Sequence, residues 1–197
     1  MRCGSHASAR SSWTNFSHFS HPDSDSYDTC LSADVNPLSA FERTRVLLDP
    51  ITNRLFHLGG SGAGHTMKLI HNMVCHTIFL ATCEGGRMAE AAGIDLADMI
   101  AVFNVSNAPS YASEVRFPKH ILSGKWDARS RVYNLRKDLS MAVGLAGSLK
   151  AEVPLGAVVR NFLNAAIAHG MTDTDYSRLY ERFGEIVAAI GDGDTSC

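Results

Sequence analysis

Apolar positions recur with a helical period from Met67 onward. Met67, Ile70, Val74, Ile78 and Ala81 follow the i, i+3/i+4 spacing of one stripe, which predicts an amphipathic helix with that stripe buried. The helix is expected to run from Thr66 to Ala92 and to stop at Gly93. At about 1.5 Å per residue this is a rod of roughly 40 Å. Gly85 and Gly86 within it each cost about 1 kcal/mol relative to alanine, and close packing of another helix is the physical reason to carry them.

The pattern downstream stays helical. Ile94–Phe103 is the next helix, with Asp95 and Asp98 near its start where acids suit the dipole. Asn104–Pro109 is a loop by composition, Ser110–Leu122 a helix despite Pro118, and Ser123–Arg131 a loop around Trp126. A second long helix spans Val132–Lys150 with Leu135, Leu139, Ala142, Val143 and Ala146 as its buried stripe. Pro154 suits the first turn of the following helix, which runs to His169 and stops at Gly170. Thr172 or Asp173 is expected to cap the last one, ending before Gly191. No strand pattern follows Leu58. The expected fold is all-α, a bundle of about six helices around the long central one.

The N-terminal part differs. Residues 1–36 are rich in Ser, His and Asp with little apolar content, and read as a disordered leader. Pro37–Gly60 reads as one helix followed by one strand. The domain reading is therefore a leader over 1–36, a helix and strand over 37–60, and a helical domain over 61–191.

Composition narrows the class. The chain has 197 residues, of which about 150 are patterned, enough for one core. A net charge of −2 and a pI near 6.5 give no electrostatic case for nucleic acid or an anionic membrane as partner. The best apolar run, MVCHTIFLATC, is broken by His76 and Thr77 and falls short of a membrane span. Five cysteines occur without a C-x-x-C; Cys75 and Cys83 on one helix would stand about 12 Å apart, too far to bridge. Reduced thiols in an intracellular protein follow. Residues 1–22 lack acids and hold Arg2, Arg10 and several serines, a faint transit-peptide character. A cytoplasmic location is expected, with a mitochondrial one as the alternative.

The candidate chemistry sits at the start of the long helix, in GGSGAGHTMKLIHN (Gly59–Asn72). Lys68 and Asn72, four apart, share a helical face. Lysine can give or take a proton, whereas asparagine donates and accepts hydrogen bonds without titrating. The pair suits a site that holds a small polar substrate and moves one proton. The bland reading is a solvated surface lysine, and the glycine turn just before it is what weighs against that. Gly60, Gly62 and Gly64 miss the G-x-G-x-x-G spacing, and Lys68 comes too late for a phosphate-binding P-loop. His57, His65, His71, His76, His120 and His169 show no ligand spacing, and His71 and His76, five apart, diverge on the helix; no metal is expected. Asp173 and Asp175 read as helix caps rather than metal ligands. No G-x-S-x-G elbow supports a serine hydrolase.

Gly62, Gly64, Lys68 and Asn72 match the G-x-G-x-x-x-K-x-x-N-N segment of the β-hydroxyacid dehydrogenases, with His71 where that family has its first asparagine. EGGRMAEAAGID (Glu84–Asp95), NAPSY (Asn107–Tyr111), LRKDLSMA (Leu135–Ala142) and VPLGAVVRNFLNAAIAHGMTDTDYS (Val153–Ser177) follow in the family's order. The chain thus resembles, over roughly Phe41–Ser177, the family that includes 3-hydroxyisobutyrate dehydrogenase, tartronate semialdehyde reductase and 6-phosphogluconate dehydrogenase-like enzymes. The resemblance implies the C-terminal helical domain of an oxidoreductase using NAD or NADP on a small hydroxy acid. It implies Lys68 as the catalytic proton carrier, its pKa lowered by burial, and Asn72 as a substrate-binding group. Lys137, Gly62 and Gly64 are then on the cofactor side, and two copies pair through this domain as a homodimer. In the family a Rossmann domain with the nucleotide fingerprint and an S-G-G substrate loop precedes this region; residues 1–36 carry neither, and Pro37–Gly60 resembles only the last helix and strand of that domain. A truncated chain with little turnover by itself is expected. A noncatalytic helical dimerisation or scaffold module derived from the family is the alternative.

Overall fold

The computed structural model describes residues 15–20, 29–34, 38–50 and 54–193, which divide into two compact units, Met1–Lys68 and Leu69–Cys197. In the first unit, strands β1 (Asn15–Ser20) and β2 (Thr29–Asp34) pair antiparallel, with Asn15 opposite Asp34 and Ser20 opposite Thr29. Helix α1 (Leu38–Leu48) then leads to strand β3 (Arg54–His57), which runs parallel to β2 with Cys30 opposite Arg54. Parallel neighbours cannot be joined by a tight turn, and α1 supplies the crossover. Buried Phe41 of α1 meets the His57 ring at 4.9 Å.

The strands at 15–20 and 29–34 differ from the expectation of a leader without stable structure. Low apolar content argues against a packed core, but a strand ladder is held by backbone groups that every residue carries. The rest of 1–36 lies outside the described residues.

The second unit is helical. α2 (Ala63–Ala91) is 29 residues long and is followed two residues on by Gly93, whose φ is +76°. α3 (Leu96–Val105) starts at Asp95, whose carboxylate accepts from Ala97 N at 2.7 Å. A π-helix (Ala112–Leu122) follows, then α4 (Val132–Leu149), α5 (Pro154–Ala168), a 3₁₀ turn (Tyr176–Leu179) and α6 (Phe183–Gly193). The region expected to be an α-helix over 110–122 is wound more widely. Pro118 has no N–H, and its ring crowds the carbonyl four residues back, so the regular ladder is interrupted there.

The core joins Phe79, Leu80, Cys83 and Ala89 of α2 to Phe117, Leu135, Leu139, Leu163, Met171 and Ile186. Phe79 meets Tyr176 edge-on at 4.9 Å, and Phe117 meets Tyr180 likewise at 5.5 Å. The α4 stripe is as expected at Leu135, Leu139, Ala142 and Ala146, all buried.

The α2 stripe is reversed. Met67, Ile70, Val74 and Ile78 are between 39% and 46% exposed, and Ala81 is exposed as well. At about 100° per residue, Phe79, Cys83 and Gly86 lie within about 40° of Asn72, whereas the expected stripe lies on the opposite side. The helix has two apolar faces, and the bundle takes the one with aromatic and small residues. Gly86 shows why: a Cβ there would come within 2.8 Å of Tyr180 Cε2 and 2.9 Å of Leu96 Cδ1. Gly85 makes no such approach, its nearest neighbour being Phe103 Cζ at 3.8 Å.

The last cap also moves. Asp175, rather than Thr172 or Asp173, opens the 3₁₀ turn, accepting from Ser177 N at 3.0 Å, Ser177 Oγ at 2.6 Å and Arg129 N at 2.8 Å. Asp173 instead pairs with Arg131 at 2.8 Å. α6 runs past Gly191 to Gly193.

Candidate active site

Lys68 and Asn72 occupy successive turns of α2. Lys68 is exposed; the burial expected to depress a catalytic lysine is not supplied by the described residues around it. Gly62, immediately before the start of the helix, has a φ of +93°, a backbone state that disfavours any side chain, and its carbonyl accepts from Thr66 N at 2.9 Å. Gly64 is buried.

Asn72 is half-buried and anchored. Its amide nitrogen donates to Asp138 Oδ2 on α4 at 2.8 Å. Lys137 Nζ lies 3.4 Å from Asp138 Oδ1 and is half-exposed. A carboxylate accepts only, so Asp138 fixes the amide with its nitrogen inward and its oxygen toward His71 Nδ1, 3.1 Å away. One carboxylate therefore orients a neutral hydrogen-bonding group and holds a cation beside it. Asn72 and Lys137 meet at Asp138. The contact between Asn72 and Asp138 spans 66 positions and leaves no local signal in the sequence.

His76 lies one turn beyond Asn72. It is largely buried, and its Nε2 has no hydrogen-bond partner. Burial pushes its pKa down to about 4; the Asp138 carboxylate opposes this, and His71 and Arg116 add to it. Burial likewise raises the thiols of Cys75, where Arg116 opposes it, and Cys83, both free. Elsewhere His120 Nδ1 pairs with Asp127 at 2.7 Å, and the Arg178 guanidinium lies 5.5 Å from the Trp126 ring centre, securing the loop before α4. Among the described residues no three His, Cys, Asp or Glu side chains converge as a metal site, and no helix is long and apolar enough to cross a membrane.

The helical segment from Gly62 to Phe183 matches the model of a family described as the NAD-binding part of NADP-dependent 3-hydroxyisobutyrate dehydrogenase. The chain belongs to this dehydrogenase family. It is 29% identical over 153 residues to the chloroplastic glyoxylate/succinic semialdehyde reductase 2 of Arabidopsis thaliana, covering 77% of this chain and 41% of that one. Identity to 3-hydroxyisobutyrate dehydrogenase of Pseudomonas aeruginosa is 27% over 149 residues, covering 73% and 49%. Among solved structures, 3-hydroxyisobutyrate dehydrogenase from Salmonella typhimurium superposes with a TM-score of 0.71 at 27% identity, over 78% of this chain and 54% of that one. The chain thus spans about half the length of the curated relatives it matches.

Proposed function

We propose that this chain is the C-terminal, cofactor-binding and dimerising part of an NAD(P)-dependent dehydrogenase acting on small β-hydroxy acids. The observation that supports it best is the anchored pair, Asn72 held on Asp138 with Lys137 on the same carboxylate. Helix α1 and strand β3, the latter parallel to β2, are read as the end of a Rossmann-type domain.

A nicotinamide dinucleotide supplies the hydride exchange when bound. The donor set fits such a group: the half-exposed Lys137 ammonium can meet a cofactor oxygen, and Asp138 holds it in place. Gly62 and Gly64 belong to the same side by family resemblance. Asn72, its amide fixed by Asp138, holds and orients the hydroxy acid. Lys68, one turn earlier on α2, takes the hydroxyl proton in oxidation and returns it in reduction. The exposed stripe Met67, Ile70, Val74 and Ile78 is where a second copy would pack, giving a homodimer. The free thiols at Cys75 and Cys83 fit a reducing compartment such as the cytoplasm.

The test is steady-state turnover of a panel of small β-hydroxy acids with NAD and NADP by a protein carrying this span together with a Rossmann-type domain, since the span by itself is expected to turn over little. Lys68→Ala should lower kcat by about 10²–10⁴, the usual worth of a positioned acid or base. Lys68→Arg should not restore it, because a guanidinium stays protonated. Asn72→Ala should weaken substrate binding and turnover together, and Lys137→Ala should chiefly raise the dinucleotide KM. Unchanged rates in Lys68→Ala would overturn the role of Lys68. The second reading, a noncatalytic dimerisation module, is favoured by the exposure of Lys68, and absence of turnover with every acid and both cofactors even when this span is accompanied by a Rossmann-type domain would select it.

A further inference from the structure

The Asn72 amide is held at both ends. Its nitrogen donates to Asp138 Oδ2 at 2.8 Å, and its oxygen lies 3.1 Å from His71 Nδ1. An amide oxygen only accepts, so Nδ1 carries a proton, in the neutral ring or in the imidazolium. The hydrogen bond therefore survives protonation of His71 and is lost only in the tautomer protonated at Nε2 alone. One turn on, the Cys75 sulfur lies 3.4 Å from Nε2 and 3.9 Å from Nδ1, against the ring rather than along a lone pair. It backs the imidazole and limits its rotation.

We propose that His71 is a positioning residue for Asn72, its Nδ1–H fixing the amide oxygen while Asp138 fixes the amide nitrogen. The bond to Asp138 decides which end of the amide points inward, but by itself it lets the group rock about its side-chain torsions. A second bond at the opposite end removes that freedom before a ligand arrives, so less ordering is left for binding to impose. Asp138 takes one N–H of Nδ2, and the other is left in a fixed place as donor to an oxygen of the ligand. Such a donor suits an oxygen that gains negative charge as its proton leaves. Naming that oxygen as the hydroxyl of a β-hydroxy acid rests on the dehydrogenase reading; the clamp on Asn72 does not. Asparagine, which the family carries at position 71, places its Nδ2 where histidine places Nδ1 and so keeps a donor at the same point.

The experiment uses the ¹⁵N-labelled 197-residue chain in NMR. Long-range ¹H–¹⁵N correlation should show His71 protonated at Nδ1, and side-chain ¹⁵N relaxation should show a rigid Asn72 amide. His71→Ala should loosen that amide and His71→Asn should restore it; position 71 is exposed, so the substitutions leave the core untouched. A His71 ring protonated only at Nε2, or an Asn72 amide as rigid in His71→Ala as in the unmutated chain, would overturn the clamp. In a protein carrying this span with a Rossmann-type domain, His71→Ala should raise the hydroxy-acid KM by about 2–10-fold, the usual effect of one hydrogen bond. The dinucleotide KM should not move, and His71→Asn should return the acid KM to near the unmutated value. An acid KM unchanged in His71→Ala would overturn the positioning role as well. Loosening in His71→Ala with no turnover in any variant, the unmutated protein included, upholds the clamp and counts against the dehydrogenase reading instead.

Discussion

His76 shows how one residue's surroundings set a property that its type does not. Its imidazole is driven to the neutral form by burial, with a pKa of about 4 against an ordinary 6.5. Between these values the unfolded chain binds a proton that the folded chain refuses, so folding stability is complete above pH 6.5 and is lost as pH falls toward 4. The full shift corresponds to roughly 3 kcal/mol. Urea denaturation at pH 7 and pH 4.5 should show this loss in the native chain and a smaller one in His76→Gln; equal losses would show that other groups set the acid sensitivity. Asp138 works by the opposite logic, since it accepts from Asn72 and pairs with Lys137, and its value lies in the two groups it positions.

At the scale of elements, α2 is organised by which of its faces can be approached. Gly86 lets the Tyr180 ring and Leu96 come closer than any side chain would allow, while Gly85 beside it has room. Gly86→Ala should therefore destabilise by about 1–3 kcal/mol through overpacking, although alanine is the better helix former. Gly85→Ala should be neutral or stabilise by up to ~1 kcal/mol, since propensity is then the larger effect. Thermal or chemical denaturation of the two variants gives the comparison, and similar effects of opposite prediction would refute the close-approach argument. The same face carries Asn72, so the packing that buries Phe79 and Cys83 also brings Asn72 to α4.

At the scale of the whole molecule, the exposed apolar stripe on α2 is the consequence of that choice. Met67, Ile70, Val74 and Ile78 form a continuous run on one side of a long helix, and such a run is normally covered by another surface. Light scattering at micromolar concentration should give twice the chain mass, and Val74→Asp should shift the species toward monomer. A monomer in the unmutated chain would count against pairing through this face.

Much of this was legible in the sequence, because helices are specified locally. The 3.6-residue period, Gly93 after α2, Asp95 before α3 and Pro154 at the start of α5 each act through neighbouring residues, so one strand of text carries them. The order of motifs around Lys68, Asn72 and Lys137 is likewise linear information. Period alone, however, says which residues share a face and not which face meets the bundle; the opposite reading of α2 followed from that. Asn72 on Asp138, Tyr180 against Gly86 and Asp175 beneath Arg129 join residues far apart in the chain. Those contacts exist only once the helices pack, and the tertiary structure alone decided them.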